Sequence, residues 1–230
     1  LTFSGTREEI NRCLRLIRKR FPVSRFPELQ LTPLLPPPIQ SPHFPMLESK
    51  IRLSLPEGIR CEVLVSSLVN AGHFFLQLPT HPTFPSLSRL DQYMYAVYCQ
   101  PVGIPGLPRP IDPSILCAAP MMGGYYRAQT VRFFEDTDEV TVKFVDYGGY
   151  ATLPADELRQ IRSDFMTLPF QAVECHHARL ATPEDEDTWS EEAYRLFEKM
   201  AVGKVIEGEV VGYGTDGIPL VDLHITCDDN

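Results

Sequence analysis

Three consecutive residues, Cys175, His176 and His177, are of the types that bind transition metals. They lie in residues 171–179, which have the pattern of a β-strand. Successive side chains of a strand point to opposite faces, so these three cannot converge on one ion. No two of the chain's six cysteines are closer than 18 residues, so it has no CxxC unit of the kind found in zinc and redox sites. The sequence therefore predicts no metal, no cofactor, and reduced, packed thiols as in an intracellular protein.

The charge distribution indicates what kind of partner the chain could bind. Residues 1–57 carry a net charge of +4 and residues 58–230 a net charge of −13, within a total of −9. An acidic body of this size repels phosphate backbones, which disfavours nonspecific nucleic-acid binding. It suits a cationic partner instead.

No apolar run approaches the roughly 20 residues that span a bilayer, so we expect no transmembrane segment. The chain begins at Leu1 without a basic region or a small-residue cleavage site, which predicts no signal peptide. We expect a piece of a longer protein, whose targeting information lies elsewhere.

Hydrophobic periodicity predicts the elements that would position a site. Apolar residues at helical spacing predict an amphipathic helix before Pro22, and prolines dominate the linker at 26–57. Four short strands separated by tight turns follow within residues 115–153, which is typical of a small antiparallel barrel. A hairpin (61–78) and a helix (84–97) precede them, and a strand (171–179), a helix after Ser190 and two strands (205–211, 220–226) follow. This symmetry predicts one barrel inserted into another fold.

Several separated motifs carry a resemblance to a known family. The run 125–129 (YYRAQ), the run 142–149 (VKFVDYGG) and the flanking segment 168–172 (LPFQA) occur in the order of the extended Tudor domain. The resemblance covers residues 58–230. It implies a mainly β fold with helices (α+β): a five-stranded Tudor barrel (115–170) inserted into a staphylococcal-nuclease-like oligonucleotide-binding barrel (58–114 and 171–230).

Residues 1–25 resemble the C-terminal part of a KH domain. A KH tail, a proline-rich linker and an extended Tudor unit are together similar to the A-kinase anchoring proteins of the mitochondrial outer membrane. A second similarity is to the Tudor-and-KH proteins of the small-RNA pathway. The first resemblance implies a scaffold on the cytoplasmic face of that membrane. It also implies protein kinase A regulatory subunit and RNA as partners, both bound outside this segment.

The extended Tudor resemblance implies an aromatic cage for methylated arginine. Three positions match the cage, Tyr126, Phe144 and Tyr147, and a cation over such rings gains about 0.5–2 kcal/mol per contact. Two positions depart from the pattern, because Pro120 replaces an aromatic residue and Gly149 replaces the usual asparagine. A ring from Tyr125, Phe134 or Tyr150 could substitute. The alternative is that the aromatic residues only fill and rim the barrel.

The sequence favours an interaction module over an enzyme or an RNA binder. Phosphodiester hydrolysis in a nuclease-like barrel needs carboxylates and arginines that converge, and the arginines outside the Tudor core are scattered among acids. Arg127 and Asp146, next to cage positions, are predicted to form a structural ion pair. Residues 1–25 lack the GxxG loop that KH domains use to bind RNA. We expect a non-catalytic module that binds an Arg-rich segment, with the arginine either unmodified or dimethylated. The alternatives are an RNA-associated module using the basic helix, or a self-associating scaffold.

Overall fold

The computed structural model describes residues 7–22, 25–26, 52–100, 104–180 and 189–225. The chain forms two units, Leu1–His43 and Phe44–Asn230. The helices and strands, in chain order, are α1 (Arg7–Arg20), β1 (Cys61–Asn70), β2 (His73–Gln77), α2 (Leu87–Tyr98), β3 (Leu116–Met121), β4 (Gly124–Phe134), β5 (Glu139–Phe144), β6 (Tyr150–Pro154), β7 (Arg159–Gln160), β8 (Val173–His177), α3 (Glu191–Ala201), β9 (Val205–Tyr213) and β10 (Pro219–His224).

The first unit contains the predicted amphipathic helix. Helix α1 ends in a basic turn of Arg18, Lys19 and Arg20. After it, the rings of Phe21 and Phe26 meet edge to face, 5.3 Å apart. Residues 1–6 of the segment that resembles a KH domain and most of the proline-rich linker lie outside the described residues. Within the described ranges, no helix has the length and apolar character needed to cross a bilayer.

The second unit contains the predicted outer barrel, closed by five strands in the order β1-β2-β8-β10-β9. Alternation along β1 buries Val63 and Val65, which join a core with Phe74 of β2 and Val221 of β10. Gly72 lies in the β1–β2 turn. A glycine is needed there because a Cβ would approach the indole nitrogen of Trp189 to 2.6 Å. The expected hairpin and closing strands are thus confirmed.

Helix α3 covers this barrel and begins where the sequence predicted. The Ser190 hydroxyl accepts a hydrogen bond from the Ala193 amide at 3.1 Å, and Glu191 and Glu192 occupy the first turn. Phe197 and Ala201 reach the barrel core.

The inserted segment is a five-stranded sheet in the order β6-β5-β4-β3-β7. The four predicted strands are present, and β7 is a short fifth strand that sequence patterning missed. A one-turn helix, Ala155–Glu157, connects the two edge strands. The strands surround a second core that includes Val140, Val142 and Leu158.

Helix α2 packs against the inserted sheet and forms a third apolar cluster. Leu87, Leu90 and Met94 are buried there together with Ala118 of β3, and the rings of Tyr125 and Tyr147 pack against the cluster. Because Leu87, Leu90 and Met94 recur at helical spacing, the same face of α2 also carries Asp91. A helix outside the inserted sheet therefore directs a carboxyl group toward the predicted cage.

Candidate functional site

Two of the three predicted cage residues form an aromatic pair. Tyr126 lies on β4 and Tyr147 lies in the turn after β5. Their rings are perpendicular, with an interplanar angle of 89° and centroids 5.6 Å apart. The turn places Tyr147 through Gly148, which has a φ of 78° and lies so close to Phe75 that a Cβ would clash with its ring.

Phe144, the third predicted residue, is buried in the core of the inserted sheet. It is 3% exposed and belongs to the core of the inserted sheet with Val140 and Val142, against which Tyr126 also packs. Phe144 therefore belongs to the core against which Tyr126 packs and presents almost no surface of its own.

The two positions that depart from the family pattern supply neither an aromatic ring nor a side-chain amide. Pro120 pairs with Tyr125 across the β3–β4 hairpin and supplies no aromatic ring. Gly149 has a φ of 82°, and a Cβ there would lie 2.8 Å from the hydroxyl oxygen of Ser67. The backbone at 149 is thus close-packed, and this position supplies no side-chain amide.

The candidate substitute rings are engaged elsewhere. Tyr125 stacks on Tyr98 at 5.8 Å and donates its hydroxyl hydrogen to the Glu157 carbonyl. The ring of Phe134 lies under the Arg132 guanidinium at 4.7 Å. The Tyr150 hydroxyl is bound to Glu174, on another side of the sheet.

Asp91 is the site residue that sequence reasoning missed. The Tyr147 hydroxyl donates a hydrogen bond to Asp91 Oδ2 at 2.5 Å. Burial raises the pKa of Asp91, and the hydrogen bond from Tyr147 offsets part of that rise. Burial and the same hydrogen bond raise the pKa of Tyr147, so its phenol keeps its proton. The sequence held one indication of this residue: a carboxyl group four positions after Leu87, on the apolar face of a predicted helix.

Arg127 and Asp146 form the predicted ion pair, with side chains 0% and 3% exposed. The guanidinium donates to both carboxylate oxygens, at 2.8 and 2.6 Å. Its remaining hydrogens go to the carbonyls of Phe165, Leu168 and Pro169. All the N–H donors of the guanidinium are thus used within the protein, so the pair fixes the wall of the site instead of contacting a ligand.

A separate cleft of about 160 Å³ lies between the inserted sheet and the outer barrel. Arg52, Lys143 and Glu174 line it together with apolar side chains. Burial would raise the pKa of Glu174, but hydrogen bonds from His73, Tyr150 and Lys143 outweigh it and lower that pKa to about 2. The cleft carries two cationic side chains, and its one carboxylate already accepts hydrogen bonds from protein groups, so it does not suit an arginine ligand.

The Cys-His-His run does not converge, as predicted. Cys175 lies in the outer barrel core, where burial raises the pKa of its thiol. His176 contacts His73, with ring centroids 4.7 Å apart, whereas His177 packs against Phe74 and Phe197. Among the described residues, no group of three His, Cys, Asp or Glu side chains is arranged to hold a metal ion.

Comparison with known proteins gives a family and close relatives. A Tudor domain model matches residues 55–178. The chain is 48% identical, over 98% of its length, to the KH domain-containing protein akap-1 of Caenorhabditis elegans. It is 44% identical, over 95% of its length, to the mitochondrial A-kinase anchor protein 1 of Mus musculus. It spans about a quarter of each relative, 26% and 25% respectively.

A solved structure supports the same fold. The extended Tudor domain from BmPAPI, crystallised in complex with sDMA, superposes with a TM-score of 0.65 at 26% sequence identity. The match covers 75% of this chain and 91% of that domain. The predicted insertion of a Tudor sheet into a second barrel is thereby confirmed.

Proposed function

Because the chain belongs to the Tudor domain family, we propose that it is a non-catalytic module that binds arginine-rich segments of partner proteins. The arginine guanidinium lies against the rings of Tyr126 and Tyr147, with Phe144 as the apolar floor. The observation that carries this proposal is the perpendicular pair of tyrosine rings, 5.6 Å apart, with a carboxyl group bonded to one of them.

The physical chemistry of this pair suits a delocalised cation. A guanidinium over a tyrosine face gains about 0.5–2 kcal/mol, more when water is excluded. The net charge of −13 on residues 58–230 attracts a cationic segment over longer distances. The complex of the BmPAPI domain with sDMA, symmetrically dimethylated arginine, supports arginine as the ligand class.

We also infer that the module belongs to a mitochondrial anchoring scaffold. The names of the two relatives, an A-kinase anchor protein described as mitochondrial and a KH domain-containing protein, support this assignment. The complete protein then resides on the cytoplasmic face of the outer membrane. It binds protein kinase A regulatory subunit and RNA through regions outside this chain.

Fluorescence polarisation with a labelled Arg-Gly peptide tests the binding proposal. The unchanged chain should bind, and Tyr126→Ala should weaken binding about tenfold, as expected for the loss of one ring contact. Tyr93→Ala, which removes a 60% exposed ring from α2, is the matched control and should bind normally. Absence of binding, or normal binding by a folded Tyr126→Ala variant, would refute the site. Sedimentation of the free chain would show whether self-association explains the pair instead.

RNA association through α1 is a second candidate, favoured by one observation. Arg12, Arg15 and Lys19 are exposed along one side of this helix, which ends in a basic turn. Such binding would weaken steeply with salt and disappear when residues 1–25 are deleted. RNA affinity that is unaffected by this deletion would exclude α1 as the binding element.

A further inference from the structure

Asp91 is a partly buried carboxyl group for which the described residues provide no cationic partner. It shares its helix face with Leu87, Leu90 and Met94, so its charge is partly removed from water. In the described part of the chain, no Lys, Arg or His nitrogen forms an ion pair with it; the nearby Arg127 is bound to Asp146. Asp91 Oδ2 accepts a hydrogen bond from the Tyr147 hydroxyl.

Burying a carboxyl group without a counter-charge is costly, so such a group indicates a function when it borders a binding surface. The bond to Tyr147 fixes one oxygen of Asp91, and a carboxylate can accept several further hydrogen bonds. Asp91 thus adjoins the aromatic pair at a site where position 149 provides no side-chain acceptor.

We propose that Asp91 accepts hydrogen bonds from the bound arginine and makes the site selective for unmethylated over symmetrically dimethylated arginine. This inference rests on the proposed function. Unmodified arginine has five N–H donors in a planar fork that matches a carboxylate. Symmetric dimethylation replaces two of these hydrogens with methyl groups.

The two-ring geometry strengthens this preference. The methyl groups of dimethylated arginine increase its affinity when several aromatic rings enclose them. Here only Tyr126 and Tyr147 form the pair, because Pro120 has no aromatic ring and Phe144 is buried. The carboxylate contribution therefore outweighs the methyl contribution. Lysine, a compact point charge without the fork, should bind more weakly than arginine.

The test measures the affinities of three peptides, identical except for arginine, symmetrically dimethylated arginine or lysine, for the whole chain. The unchanged chain should bind the unmethylated arginine peptide most tightly. Asp91→Asn should weaken binding of this peptide about tenfold or more and reduce its advantage over the dimethylated peptide. Asp138→Asn removes the same charge from an exposed position paired with Arg109 and should leave affinity and preference unchanged.

A second variant separates recognition from folding. Tyr147→Phe keeps the ring but removes the hydroxyl that holds Asp91, so it should reduce the arginine preference while retaining part of the affinity. If Tyr126→Ala weakens binding about tenfold but Asp91→Asn leaves affinity and preference intact, Asp91 has no such role and the proposed function stands. If the unchanged chain prefers the dimethylated peptide, the inference is wrong. If it binds none of the peptides, both proposals are wrong.

Discussion

Replacing Arg127 with methionine is expected to destabilise the second unit severely. The side chain is 0% exposed, donates twice to Asp146 and supplies hydrogen bonds to three backbone carbonyls. Removing one partner of a buried ion pair costs about 3–5 kcal/mol, because the remaining charge stays buried and unpaired. The orphaned carbonyls add to this cost, although the terms are not additive.

The expected loss for Arg127→Met is therefore about 4–5 kcal/mol, which lowers the melting temperature by about 8–20 °C in a chain of this size. Urea unfolding measures it through the single tryptophan, Trp189, which packs against Gly72 of the outer barrel. Arg195→Gln is the matched control, since its 74% exposed pair with Glu191 contributes only about 0.3–0.5 kcal/mol. A loss below about 1 kcal/mol for Arg127→Met would refute the structural role assigned to the buried pair.

Three further predictions concern pH, backbone strain and thiol reactivity. The folded pKa of Glu174 lies below its ordinary value of 4.5, so its stabilisation is present above that value and is lost as pH falls toward about 2. In the unchanged chain the urea midpoint should fall between about pH 5 and about pH 3, on either side of the ordinary pKa of 4.5. Glu174→Gln should make this fall smaller, and an unchanged fall would contradict the assignment. Gly148→Ala should cost at least about 3 kcal/mol in urea unfolding, because strain and a clash combine. Gly203→Ala, at a φ of 74° with open space around it, should cost only about 1–2 kcal/mol, and equal losses would refute the clash. Cys99 should react with a thiol reagent in the folded chain, whereas Cys117, whose pKa burial raises to about 12, should react only after unfolding. Peptide mapping by mass spectrometry would detect early labelling of Cys117, which would contradict its burial.

The strands and helices of the second unit were largely predictable because local signals agreed with the tertiary structure. Alternation in β1, the turn glycines and the cap at Ser190 each indicate the element that the structure contains. The two-residue strand β7 carries no periodicity of its own. Its pairing of Gln160 with Cys117 depends on the surrounding sheet, so a local pattern could not reveal it.

The three aromatic residues of the candidate site were predicted from family position, which does not give the burial of each side chain. Alternation in β5 already puts Phe144 in the inward row with Val140 and Val142, so its burial follows from the pattern, although family position suggested a cage wall. The approach of Asp91 to Tyr147 joins residues 56 positions apart in sequence. Only the packing of α2 on the inserted sheet brings them together, and sequence spacing does not show that contact.

The most direct test of arginine recognition is an NMR titration of the whole chain with an unmethylated Arg-Gly peptide. Saturable shifts should appear at the ring signals of Tyr126 and Tyr147 and at the carboxyl carbon of Asp91. The signals of Lys143 and Glu174, in the separate cleft, should remain in place. Shifts confined to that cleft, or the absence of any saturable shift, would contradict the proposed site.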